Sequence, residues 1–371
     1  MKDFNSKEKS KFIQYLDADN LYGWAMSQPL PVSGFKWMKE KDLDNWEEIP
    51  CILEVDLEYP KELYDLHNDY PLAPERITVN KVKKRIPNLE DKKKYILHCK
   101  NLKQYLDIGL KLTKIHRGIS FNEKAWMKPY LDLNTKLRTE STNDFEKDFF
   151  NLMNNSVFGK TMENIRSRVD IRLRTSEKTA EKLVSMPGYE RITIFSEDLV
   201  AVHMHKTKIN FNKPIYLGMC ILDSSKILMY DFHYNCIKKK YQSKAKLLMT
   251  DTDSLMYEIH TEDFFKDIHE DISDKFDTSN FEKDHSSGIK RMHKKVFRMM
   301  KDERGGKIIS EFVSLRAKLY AYKKEGDEEK KCKGVKTGVV KNNIAFDDYK
   351  NCLFNDKKTA ENYERNQKSA A

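Results

Sequence analysis

Leu247-Leu248-Met249-Thr250-Asp251-Thr252-Asp253-Ser254-Leu255-Met256-Tyr257-Glu258-Ile259 places two short apolar, β-prone runs on either side of a tight acidic turn. The pattern predicts a β-hairpin with carboxylates at its tip. Both flanks are apolar enough to be held in a core, so the turn is expected to be rigid. Two carboxylates kept that close repel each other unless a cation sits between them. A hard divalent ion takes oxygen ligands, commonly one or two carboxylates, with substrate phosphates and water completing the shell. Solvated turn chemistry accounts for an isolated Asp-Thr-Asp as well. A calcium loop does not. Asp251, Asp253 and Glu262 match its first, third and twelfth positions, but Leu255 and Met256 stand where it needs an oxygen ligand and a glycine. The meaning of the hairpin therefore rests on its company elsewhere in the chain.

Upstream, Lys11-Phe12-Ile13-Gln14-Tyr15-Leu16-Asp17 alternates loosely and reads as a strand that delivers Asp17 to its C-terminal end. Ala18-Asp19-Asn20-Leu21-Tyr22-Gly23 then turns into a short helix, and capping that helix is the local alternative for Asp17. Residues 28–71 are punctuated by Pro29, Pro31, Pro50, Pro60 and Pro71, and a lysine-rich block runs on to Arg117. A long helix is expected from Asn143-Asp144-Phe145-Glu146, a capping-box-like start. On it Asn151, Asn155, Phe158 and Met162 share one face, beside an apolar stripe of Phe145, Phe149 and Leu152.

Arg166, Arg168, Arg172 and Arg174 make a basic stretch. A strand is expected over Ile215–Ile221. Asp223 or Ser224 would then cap a helix whose face is Ile227, Tyr230, Tyr234, Ile237 and Tyr241. Strand, helix and hairpin together predict an α+β fold, with helices on one face of an antiparallel sheet. Residues 260–305 read as a charged helical tract. Phe312–Tyr322 alternates strictly, with Ser314, Arg316, Lys318, Tyr320 and Tyr322 expected to face outward, cations for phosphates and rings for sugars or bases. Residues 323–334 read as a charged loop.

Composition narrows the class. The 371 residues are 39% hydrophobic, 11% aromatic and 34% charged, with a formal net charge of +10, which suits two or three globular units. Between Lys81 and Arg117 twelve Lys/Arg face three acids (Glu90, Asp91, Asp107), an excess of +9 that points to a polyanion or to a solvated basic face. Cys51, Cys99, Cys220, Cys236, Cys332 and Cys352 show no Cys-x-x-Cys spacing and read as reduced thiols. His203 and His205 would share a strand face but lack a third ligand. No signal peptide precedes Met1-Lys2-Asp3 and no apolar run reaches membrane-spanning length, so a soluble intracellular protein with no membrane partner is expected.

Four stretches, in this order, resemble the motifs of family B DNA polymerases. Asp17-Ala18-Asp19-Asn20-Leu21-Tyr22-Gly23 is similar to motif A and Asn155-Ser156-Val157-Phe158-Gly159 to motif B. Thr250-Asp251-Thr252-Asp253-Ser254 is similar to motif C, and Lys318-Leu319-Tyr320 to the Lys-x-Tyr motif. The insertion between the first two resembles the protein-primed branch found in viruses, linear plasmids and self-synthesising transposons. The resemblance spans roughly residues 11–325 and implies a palm with helical fingers and an inserted subdomain. The expected layout is palm at 1–30, a basic insertion resembling the terminal-protein region at 31–125 and fingers at 126–165. The second part of the palm follows at 166–325, and a short thumb-like tail at 326–371.

The resemblance also implies roles. Asp17 and Asp253 would hold two Mg²⁺ ions, with Mn²⁺ as an alternative, and Asp251 would support them. Tyr22, next to Leu21, would lie under the sugar of an incoming deoxynucleoside triphosphate and select against a 2′-hydroxyl. Asn155 and Phe158 would face that nucleotide. Lys318, Tyr320 and Gly159 would contact primer–template DNA. The insertion would meet a terminal (priming) protein or encircle DNA, at a nuclear or viral replication site.

Three departures stand out. The family's lysine one turn before the motif B Asn is here Asn151, which lacks the charge, leaving Lys147, or Lys136 and Arg138, to contact the triphosphate. Phe158 replaces a tyrosine. Only 16 residues precede Asp17, and the tail is short, so the expectation is the catalytic half of a polymerase without proofreading. A remnant that only binds DNA or a priming protein is the competing reading. A nucleotide cyclase shares the carboxylate logic but leaves Asn155–Gly159, Lys318 and Tyr320 without a role.

Overall fold

The computed structural model describes residues 10–79, 81–324 and 326–354. Part of the expected tail, residues 355–371, lies outside them. The chain divides into two compact units, one formed by Met1–Lys128 with Leu222–Ala371, the other by Pro129–Ile221.

The first unit is built on a five-stranded sheet in the order Ala245–Asp251, Ser254–Thr261, Ser10–Ala18, Met300–Asp302, Phe276–Asp277. All neighbours are antiparallel except the last pair. The expected hairpin and the strand carrying Asp17 are therefore direct neighbours. One face buries Leu16, Ala18, Leu247, Leu255, Tyr257 and Ile259 against Met229, Phe232, Ile237 and Tyr241 of the helical segment before the hairpin. Each such aliphatic side chain contributes about 1.5–3 kcal/mol on burial. The other face packs Met249 and Met256 against Ile309, Tyr320 and Tyr322. This is the α+β arrangement expected, helices on one face of a mainly antiparallel sheet.

The insertion forms a second sheet, Leu30–Trp37, Lys111–Lys124, Cys51–Glu58, Lys92–His98, all antiparallel. Cys51–Glu58 alternates with period two: Cys51, Leu53, Val55 and Leu57 are buried, and Glu54, Asp56 and Glu58 point away from the core. Those carboxylates and their neighbours answer part of the basic segment, through Lys93–Asp56 (3.9 Å), Lys111–Glu58 (3.1 Å), Arg117–Glu54 (2.5 Å), Lys100–Glu123 (2.9 Å) and Lys92–Glu75 (3.2 Å). Much of the remaining charge lies on the ribbon Glu75–Val79 and Val82–Ile86, where Arg76, Lys83, Lys84 and Arg85 are exposed.

Several expectations are corrected. Ile215–Ile221 is not a strand but the start of a helix, Ile215–Asp231, so Asp223 and Ser224 lie inside it rather than at its cap. A seven-residue apolar run has no periodicity to separate strand from buried helix. The helix runs into π-helical turns at Phe232–Lys238, which shift its register. The expected single face is thereby split: Tyr230 and Tyr234 enter the core under the Cys51–Glu58 sheet, Ile237 and Tyr241 the core under the five-stranded sheet. Residues 260–305 form short turns and extended segments in place of a helical tract, with helical turns at Phe264–Asp267 and Ile272–Lys275. Phe312–Tyr322 is not one strand but a hairpin, Ile309–Arg316 and Leu319–Lys324, joined at Ala317-Lys318. Its third strand, Asp327–Cys332, occupies the expected loop. This sheet is covered on both faces, by Met249 and Met256 on one side and by Phe346 and Tyr349 on the other. Tyr320 and Tyr322 are consequently buried at 2% exposure, not outward.

The second unit holds the helices Lys128–Glu140 and Asp144–Thr161 and a sheet in the order Asp170–Arg174, Leu199–Met204, Tyr189–Ser196. The helix Glu177–Val184 covers that sheet with Ala180 and Leu183. The expected fingers segment, 126–165, falls in this unit from Pro129 onward, and the unit continues to Ile221. Asn143 caps the long helix as expected, accepting from the Glu146 amide at 2.9 Å.

Candidate active site

Asp17, the penultimate residue of its strand, lies directly opposite Ser254 on one side and Lys301 on the other. The Ala18 amide donates to the Asp253 carbonyl at 2.7 Å, which fixes the hairpin tip against the end of the Asp17 strand. The cap of the following helix is Asn20, whose side chain accepts from the Gly23 amide at 3.1 Å, so Asp17 is not consumed by capping.

The tip is a two-residue loop, Thr252-Asp253, between the paired Asp251 and Ser254. Thr252 has φ +64°, and the Asp253 amide donates to the Asp251 carbonyl at 2.8 Å, a three-residue turn with a left-handed centre. For a β-branched residue that conformation is strained, and strain of this kind gathers at functional sites.

Burial, followed by the charges of Asp253 and Glu303, pushes the Asp17 carboxyl up to about 8 despite the opposing Lys301. Burial and the charges of Asp251 and Glu303 raise Asp253 too, against the pull of Lys318. Tyr22 is raised by burial and by Asp253, which puts its phenol at the same cluster. Lys318, at φ +61° in the turn of its hairpin, pairs with Asp251 (Nζ to Oδ1, 3.0 Å). The Tyr320 ring is buried, and its hydroxyl meets that of Tyr15 at 3.2 Å. Leu21 is a core residue, leaving only its backbone for any contact.

Three participants were not foreseen. Lys301 faces Asp17 across the sheet, and Glu303, whose amide donates to the Tyr15 carbonyl at 2.9 Å, lies on the same side. Asp19 is also raised to about 8, by burial and by its side-chain hydrogen bond to Asp277, and its Oδ2 is buried without a partner. Burial alone would raise Asp277, but that bond and the amides of Ser279 (2.8 Å) and Lys295 (2.9 Å) hold it below the usual range. Lys301 and Glu303 carry no local pattern; they arrive on and just after a strand only three residues long, Met300–Asp302, whereas Asp19 follows directly on the Asp17 strand.

The donor set fits a divalent cation: clustered, half-buried carboxylates whose mutual repulsion exceeds the compensation from Lys301 and Lys318. Among the described residues no group of three or more His, Cys, Asp or Glu is arranged to hold a metal ion. Two carboxylates completed by substrate oxygens are an arrangement magnesium commonly takes. A cleft of about 870 Å³ opens beside them; Lys318, Lys330, Lys331, Lys333 and Lys341 line it together with the acids Asp251, Asp327, Glu328 and Glu329.

In the second unit, Asn155 and Gly159 are exposed on the long helix and Phe158 is half-buried. Gly159 has open space where a side chain would stand. Lys147 is paired with Asp144 at 3.0 Å, and Arg138 lies on the preceding helix with its Nε buried and unpartnered. The buried asparagine is Asn154, which accepts from Asn134 Nδ2 at 3.0 Å. Phe145 and Leu152 of the expected apolar stripe are exposed at 78% and 63%. Among the described residues no helix is long and apolar enough to cross a membrane.

No protein-family model matches the chain, and no curated protein does. Solved structures match its fold, among them several of phi29 DNA polymerase. Phi29 DNA polymerase in an orthorhombic crystal form is 16% identical with a TM-score of 0.53, over 93% of this chain and 55% of that one. Phi29 DNA polymerase complexed with primer-template DNA and incoming nucleotides is 16% identical with a TM-score of 0.52, over 93% and 55%. Its complex with single-stranded DNA is 16% identical with a TM-score of 0.53, over 93% and 54%. The chain thus spans about half the length of these polymerases and shares the fold of that half.

Proposed function

We propose that this protein is a nucleotidyltransferase that extends a DNA primer on a template with deoxynucleoside triphosphates. The observation that carries the reading is the juxtaposition of Asp17 and Asp253 at two adjoining strand ends, each raised by burial and by neighbouring carboxylates. Asp17 and Asp253 would hold Mg²⁺ or Mn²⁺. The bound metal would supply Lewis-acid activation of the primer 3′-hydroxyl and neutralise charge on the leaving pyrophosphate. Asp251, engaged by Lys318, stiffens the hairpin tip. Tyr22 lies beside Asp253 and bounds the sugar pocket. Lys318, lining the adjoining cleft, receives the primer's phosphates together with Lys331, Lys333 and Lys341 of the same lining. On the family resemblance Asn155, Phe158 and Arg138 would contribute nucleotide contacts, and the basic segment 81–117 would receive duplex DNA or a priming protein.

The test is single-nucleotide incorporation opposite each template base, in Mg²⁺. Selective, metal-dependent incorporation that Asp17→Ala and Asp253→Ala each abolish is the expected result; incorporation surviving both changes overturns the mechanism. One observation favours the alternative, a remnant that binds DNA without extending it. Asn151 carries no charge and Lys147 is engaged by Asp144. Under that alternative the wild-type chain is inactive and Asn151→Lys restores incorporation.

A further inference from the structure

The hairpin strand Ala245–Asp251 contains a bulge that decides where its carboxylate points. Leu247 pairs with Tyr257 and Met249 with Met256, leaving Leu248 as an extra residue. Leu247 accordingly faces the helix-covered core, whereas Met249 faces the opposite side with Tyr320. Side chains alternate along a regular strand, so if Leu248 were paired in register and not bulged, Met249 and Asp251 would turn to the Leu247 side, into the helix-covered core. The bulge is what puts Asp251 on the side of Asp17 and Lys318.

This bulge is gripped from outside the sheet. Asp69, in the insertion, accepts through Oδ2 from the Leu247 amide (3.2 Å) and from Lys238 Nζ (3.0 Å). Lys238, itself buried, also donates to the Ala245 carbonyl at 2.9 Å. The next residue, Tyr70, hydrogen-bonds the Thr250 side chain through its hydroxyl, and its carbonyl accepts from the Tyr234 hydroxyl at 2.6 Å. Two consecutive residues of the insertion thus hold the strand on both sides of Leu248.

We propose that Asp69 is a positioning residue for the acidic hairpin: with Lys238 and Tyr70 it locks the Leu248 bulge and thereby the direction of Asp251 and Asp253. The consequence for metal rests on the function proposed above; the consequence for the hairpin does not. Partners that orient metal-binding groups from outside the ligand set typically change metal affinity by about 10–100-fold when removed.

Amide hydrogen exchange and Mn²⁺ binding followed by electron paramagnetic resonance test this on the full chain. In Asp69→Ala, exchange across Leu247–Asp251 is expected to quicken while Cys51–Glu58 stays protected, and Mn²⁺ affinity to fall by at least about tenfold. Asp69→Asn keeps one acceptor for the Leu247 amide and recovers most of both. A folded Asp69→Ala with wild-type hairpin exchange overturns the proposal. Should Asp69→Ala fail to fold because Lys238 is left buried and uncompensated, Tyr70→Phe decides. It is expected to quicken exchange at Thr250 and Asp251, and unchanged exchange there overturns the proposal. A wild-type chain that incorporates no nucleotide, yet whose hairpin loosens in these variants, counts against the polymerase reading and supports the positioning role.

Discussion

Lys318 and Asp251 form an ion pair, Nζ to Oδ1 3.0 Å, between the turns of two hairpins that share no strand. The lysine side chain is 47% exposed, so the pair contributes little to stability, within about 0–1 kcal/mol. Lys318→Met is expected to leave the melting temperature nearly unchanged. It should weaken binding to primed DNA and lower the slope of log affinity against log salt by about one. Fluorescence anisotropy across a salt series checks this.

Asp17 and Asp19 give a pH dependence of definite sign. Both carboxyls ionise near 3.8 when unfolded and are raised to about 8 in the metal-free fold, so the native state holds more protons between those values. Metal-free stability should therefore fall as pH rises from about 4 to 8. Thermal unfolding in chelator at pH 5 and pH 8 is expected to show the lower midpoint at pH 8, with the difference reduced in Asp17→Asn. Mg²⁺ should restore stability most at the higher pH, because its binding displaces the Asp17 proton.

Asp19 and Asp277 act as one proton-sharing unit, so the isosteric change is expected to be mild. Asp19→Asn supplies a permanent N–H donor to Asp277 and should keep or raise stability at pH 8. Asp19→Ala leaves Asp277 buried beside a missing partner and should cost about 1–3 kcal/mol. Urea denaturation of the two variants separates these outcomes.

The neighbouring asparagines of the long helix should separate stability from function. Asn154 is buried against Asn134, and Asn154→Leu is expected to cost about 1–3 kcal/mol by orphaning that amide. Asn155 is exposed, and Asn155→Ala should change stability by under about 0.5 kcal/mol while raising the KM for nucleotide. Denaturation and steady-state incorporation check the pair.

What was legible in the chain was short-range. Leu247–Ile259 announces its hairpin because two short apolar, β-prone runs flank a turn-forming tripeptide, and Asn143 announces its helix by its cap. The fold class followed from those elements. Less legible were features set by partners distant in sequence. Ala317-Lys318 has none of the Gly or Asn usual in a two-residue turn, so one alternating strand was expected where the chain reverses at a lysine with φ +61°. Tyr320 then became buried because that hairpin is covered on both faces. Glu303 and Lys301 reach the site only through cross-strand register, and the bulge at Leu248 has no local sequence mark. Ile215–Ile221 was ambiguous for a different reason: a uniformly apolar run carries no period.

The central claim is that Asp17 and Asp253 together support metal-dependent, templated nucleotide transfer. Primer extension by the purified chain on primed DNA with deoxynucleotides and Mg²⁺, beside Asp17→Asn and Asp253→Asn, tests it most directly. Template-directed extension by the wild-type chain is expected, with none in the absence of metal and a loss of about a hundred- to a thousandfold in each variant with DNA binding retained. Extension that persists in Asp253→Asn, or a wild-type chain that binds primed DNA and adds nothing to it, would contradict it.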